Sequence, residues 1–172
     1  QKVESRELAS LAKLSLAERL ARVRELEGKY GEFARTYLLR LSHFVLERTP
    51  DVAYDLPSVD RAMEWGYAWE AGPFRQMDML GQDFLRDGFK RLKLQEPELL
   101  RKSKGSFYTH DGSVVLQLDG SYARVQEMAG ADTLARLKSG KRILLESTDA
   151  SLLDMGDGVA CLEFHSKANT LG

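Results

Sequence analysis

Ser58-Val59-Asp60-Arg61-Ala62-Met63-Glu64-Trp65-Gly66, followed by Gly72-Pro73-Phe74-Arg75-Gln76-Met77-Asp78-Met79-Leu80-Gly81, decides how the first half of this chain folds. Gly66 tolerates the left-handed cap that ends a helix, so a helix is predicted from Ser58 towards Trp65. Gly72 can end one element with positive φ. Pro73 suits the first turn of the next, where its missing amide would have had no partner. The chain must turn sharply here. Phe74 and Met77 or Met79 then anchor a short second helix. Asp78, one turn beyond Phe74, is placed to accept backbone amides at the helix end near Gly81 or in a neighbouring loop. Read by itself, the stretch is a structural corner.

Outward from the corner, from about Glu4 to about Leu100, apolar residues recur at helical spacing with few interruptions. Leu8, Leu11 and Leu14 make one short stripe. Ser15 and Glu18 then have the Ser-x-x-Glu spacing of a capping box, with Leu20, Val23 and Leu26 behind it. From about Glu32 to Glu47, Phe33, Tyr37, Leu38, Leu41, Phe44 and Val45 form the predicted inner face of a further helix, closed by Pro50. The charges between Glu4 and Arg24 alternate as on a solvated face.

Beyond about Ser103 the period shortens to two. Asp111-Gly112 and Asp119-Gly120 separate β-formers such as Ser106-Phe107-Tyr108 and Val114-Val115-Leu116, and Asp-Gly pairs favour type I′ turns. Arg142 to Glu146 and Val159 to Phe164 are two more strands, with turn residues from Asp154 to Gly158. The reading is α+β: a mainly α-helical bundle followed by a small antiparallel β segment. Val159 to Phe164, an apolar strand deprived of its sheet, is expected to pair with Arg142 to Thr148 or with another copy of the chain.

Composition narrows the function. The 25 Lys and Arg nearly cancel the 26 Asp and Glu in 172 residues, leaving a net charge of −1. No global field recruits nucleic acid or acidic lipid, and short basic clusters such as Lys90-Arg91-Leu92-Lys93 have acids nearby. No apolar run approaches membrane-spanning length, so a cytoplasmic protein with neither membrane nor nucleic-acid partners is expected. One cysteine, Cys161, excludes an internal disulfide framework and a multi-cysteine metal site. His43, His110 and His165 do not converge in sequence and read as packed or solvated. No metal site and no catalytic residue are assigned.

The corner resembles the carboxy-terminal helical domain of the 3-hydroxyacyl-CoA dehydrogenases, where a Gly-Pro-Phe-x-x-x-Asp-x-x-Gly corner recurs. Gly66-Tyr67, Gly72-Pro73-Phe74, Asp78 and Gly81 match in register, and the likeness covers roughly Leu14 to Gly81. Separately, Asp154-x-Gly156-Asp157-Gly158-Val159, Leu162-Glu163-Phe164 and Lys167-Ala168-Asn169 resemble the opening strand and loop of the enoyl-CoA hydratase (crotonase) fold. Thr170 departs from the Ala usual there. Together they resemble bacterial fatty-acid β-oxidation fusion enzymes.

The resemblance implies a helical dehydrogenase-like domain at 1–100, a folded β connector at 101–150 and the truncated start of a hydratase domain at 151–172. It also implies NAD as the parent's cofactor, acyl-CoA as its substrate, a homodimer, and Lys167 and Ala168 as CoA contacts in the parent. The rest of the parent polypeptide, with its NAD-binding and hydratase domains, would be the partner. The catalytic His and Glu and the glycine-rich NAD loop of that family have no counterpart here, so no cofactor contact and no activity are expected of this segment alone. The rival reading from another class is a free-standing helical interaction module with a β appendage.

Overall fold

The computed structural model describes residues 10–109, 112–126, 134–140 and 142–165. Its compact units are Gln1–Val125 and Gln126–Gly172, and each is taken by itself.

The first unit opens with α1 (Leu16–Glu25). Ser15 Oγ accepts the Glu18 amide while Glu18 Oε2 accepts the Ser15 amide at 2.9 Å, the reciprocal cap expected from the spacing. Then comes α2 (Gly28–Val52), which runs through Pro50 instead of closing at it. The proline lies in the last turn, so it removes a hydrogen bond only near the helix end, and buried Leu46 and Thr49 hold that turn on the core. The inner face of α2 only partly matches the one predicted, since Leu38 and Val45 do pack against the core. Leu39, Ser42, Leu46 and Thr49 are buried, whereas Phe33, Tyr37 and Phe44 face solvent. Both sets recur at helical spacing, and counting apolar residues selected the more aromatic of the two.

Asp55 caps α3 (Leu56–Tyr67), accepting the Ser58 amide at 2.8 Å. The helix passes through Gly66, and the left-handed residue is Ala68, with φ of 54°. The Ala68 and Trp69 amides both reach back to the Met63 carbonyl, that of Trp69 at 3.2 Å, and close the helix end. The chain then builds α4 (Pro73–Leu80), α5 (Gln82–Arg91) and α6 (Glu98–Lys102).

Strands β1 (Tyr108–Thr109), β2 (Val114–Leu116) and β3 (Tyr122–Arg124) follow as an antiparallel sheet, with Tyr108 opposite Val115 and Leu116 opposite Tyr122. Phe107, Val115 and Leu116 enter the same core as Leu39, Phe74 and Phe89. The sheet is therefore seated in the helices. At Asp119-Gly120 only the glycine has positive φ, and the Gly120 amide bonds Gln117 O at 2.9 Å. That is the longer hairpin loop with a left-handed glycine, and a type I′ turn would need both residues left-handed.

α2 and α5 cross at Gly88, where an added Cβ would lie 2.3 Å from Leu39 Cδ2. Leu39 is fully buried, so its side chain can give way only by displacing its neighbours in the core. Gly88→Ala is expected to cost about 1–3 kcal/mol through overpacking. In a Leu39→Ala background the added methyl fills the vacated space, so the double-variant loss should fall below the sum by about 1 kcal/mol or more. Urea denaturation of the four proteins checks this, and additive losses would show that the two helices do not meet there.

The second unit contains α7 (Leu134–Ser139) and a sheet of β4 (Ile143–Glu146), β5 (Ala150–Gly156) and β6 (Val159–Phe164) in that order. Among its described residues Leu137, Ser151 and Leu153 are buried. Lys138 Nζ stands 3.0 and 2.8 Å from the two oxygens of Glu163. The β6 pairing corrects the sequence expectation: its partner is β5, with Leu152 opposite Leu162 and Ser151 opposite Glu163, and β4 lies beyond. The cause is local. Asp157 and Gly158, with φ of 51° and 76°, form the doubly left-handed turn that joins adjacent strands, while Asp154 to Gly156 belong to β5.

Candidate functional site

The Gly72-Pro73-Phe74 corner is where charge, burial and close backbone approach concentrate. Gly72 has an ordinary extended φ of −68° in place of the positive one expected from sequence, so it is needed for the approach and not for its dihedral. Gly72 lies against α3, with a built Cβ only 2.3 Å from Asp60 Cα. That contact brings the Asp60 carboxylate to the first turn of α4. Oδ1 accepts the Phe74 amide at 2.8 Å, and Oδ2 accepts the Tyr108 hydroxyl at 2.8 Å. One turn along α3, Glu64 Oε1 accepts the Gly72 amide at 2.7 Å. Two acids spaced i, i+4 on α3 thus hold two amides of the corner.

Arg75 stands over these acids. Its Nε is 3.5 Å from Glu64 and 4.0 Å from Asp60, and its guanidinium lies 4.6 Å from the Tyr108 ring centre. Asp78, on the next turn, reaches β1: its two oxygens accept the Phe107 amide at 2.7 Å and the Tyr108 amide at 2.8 Å. Tyr108 is therefore held at its backbone by Asp78 and at its hydroxyl by Asp60. Phe74 meets Phe107 edge-on, ring centres 5.2 Å apart, and closes the apolar side.

Burial sets the electrostatics. It pushes the Asp60 carboxyl up from 3.8 to about 6, against the opposing pull of the Phe74 amide, the Tyr108 hydroxyl and Arg75. Asp78 is raised in the same sense, again by burial. The Tyr108 phenol is pushed far above its ordinary value by burial and the Asp60 charge. A raised carboxylate can mark a catalytic base. Asp60 is only 1% exposed and has both oxygens occupied, so this cluster ties α3, α4 and β1 together. Its chemistry is positioning.

Of the residues singled out in sequence, Gly72, Pro73, Phe74 and Asp78 meet at this knot. Gly81 joins α4 to α5 with φ of 84°. Phe74 and Met77 are buried, and Met79 is not. His43 Nε2 sits 2.9 Å from Gln95 O with its ring edge on Phe89, and His165 Nε2 sits 3.0 Å from Ser151 Oγ. His110, Lys167 and Ala168 lie outside the described residues. Among the described residues no three His, Cys, Asp or Glu side chains gather as a metal site, and no helix is long and apolar enough to cross a membrane. Asp60, Arg75 and Tyr108 were missed as a group. Only the i, i+4 spacing of Asp60 and Glu64 hinted at it.

No family model matches the chain, and no solved structure matches it. A probable 3-hydroxyacyl-CoA dehydrogenase of Bacillus subtilis (strain 168) is 37% identical over 127 residues, which cover 71% of this chain and 16% of that protein. The chain is related to part of that dehydrogenase and spans about a sixth of its length.

Proposed function

We propose that the chain is a segment of a fatty-acid β-oxidation enzyme that oxidises 3-hydroxyacyl-CoA with NAD. The observation that carries this reading is the 37% identity over 127 residues to a probable 3-hydroxyacyl-CoA dehydrogenase. In this reading residues 1–100 form the helical dehydrogenase-like domain, which walls the acyl-CoA cleft and supports a homodimer. Residues 101–150 connect it to a hydratase domain beginning at 151, where Lys167 would meet a CoA phosphate as a point charge and Ala168 would offer backbone. The NAD fold, the catalytic His and Glu and the hydratase residues belong to the rest of a cytoplasmic parent polypeptide.

The clasp of Asp60, Glu64, Arg75, Asp78 and Tyr108 gives this segment its part in catalysis. A cleft wall must hold substrate within a fraction of an ångström of the reacting groups, and the clasp fixes α3, α4 and β1 against one another. The test uses the full-length protein with 3-hydroxyacyl-CoA and NAD, followed by nicotinamide absorbance. Reduction of NAD is expected. A full-length protein with neither this activity nor a dinucleotide fold would overturn the reading and favour the helical interaction module.

A further inference from the structure

We draw no further inference here: the strongest candidate, the apolar row on one face of the second unit's sheet, where Leu145, Leu152 and Leu162 stand opposite one another across β4, β5 and β6 with Leu145 and Leu162 exposed, is an unpartnered face and nothing in the structure shows what covers it.

Discussion

Gly72→Ala is expected to unfold the helical unit or leave it barely stable, with a loss above about 3 kcal/mol in urea denaturation. The added methyl would lie 2.3 Å from both Asp60 Cα and Asp60 Cβ and 2.4 Å from Asp60 Oδ1. Two of those atoms are at or next to backbone and cannot rotate away. α3 would have to move off α4, and the Asp60 bond to the Phe74 amide and the Glu64 bond to the Gly72 amide would break with it. A domain of this size has roughly 5–15 kcal/mol in reserve, so one such displacement takes a large share. Gly66→Ala is the counterpart. Gly66 lies inside α3 with open space where the methyl would go, and helix propensity predicts a gain of about 0.5–1 kcal/mol. Equal effects at the two positions would mean that the close approach at Gly72 is not what the corner requires.

Local chemistry was legible in the sequence, and chemistry between distant residues was not. The Ser15 and Glu18 cap, the proline-led α4 and the change from helical to two-residue period beyond Ser103 each depend on a few neighbouring residues. The corner itself was visible because glycine followed by proline has few conformations. What the corner binds was hidden. Asp78 accepts amides 29 and 30 residues further on, and Tyr108 bonds Asp60 across 48 residues. No spacing rule connects such pairs.

The errors have the same origin. On α2 two stripes compete for the core, and sequence cannot rank them when the outer one carries the larger side chains. The true inner stripe includes Ser42 and Thr49, which look polar in a pattern. Thr49 can be buried because its hydroxyl donates to Val45 O at 2.7 Å on the same helix. Gly66 looked like a stop signal, yet Ala68 takes the left-handed position because the backbone bond from Trp69 to Met63 secures the end there. The strand at Val159 was correctly placed, and its partner was missed because Asp154 to Gly156 read as turn residues when they continue a strand, leaving only two residues for the type I′ turn. Asp157-Gly158 forms it.

Asp60 should reveal itself by charge as well as by contact. Asp60→Ala leaves the Phe74 amide and the Tyr108 hydroxyl without their acceptor, and Arg75 loses one of its two acids, so a loss of about 3–5 kcal/mol is expected. Asp60→Asn keeps an oxygen for the Phe74 amide and carries no charge to desolvate. It should lose markedly less at neutral pH. The pH dependence sharpens the distinction. The folded carboxyl titrates at about 6 against 3.8 for a free one, so the folded state holds its proton more tightly. This contribution is fully present below about 3.8 and is lost as pH rises through about 6, an amplitude on the order of 3 kcal/mol. Asp78 is raised too and acts in the same direction. The exposed Glu18, Glu98 and Asp119 are lowered by their hydrogen bonds; their contributions are lost as pH falls from the ordinary carboxylate range, so they touch only the low edge of this window. Urea midpoints of wild type should therefore fall between about pH 4 and 6 from the Asp60 contribution, and Asp60→Asn should flatten that slope. An unchanged slope in Asp60→Asn, or an Asp60→Ala no weaker than a surface substitution, would show that α3, α4 and β1 are held by packing alone.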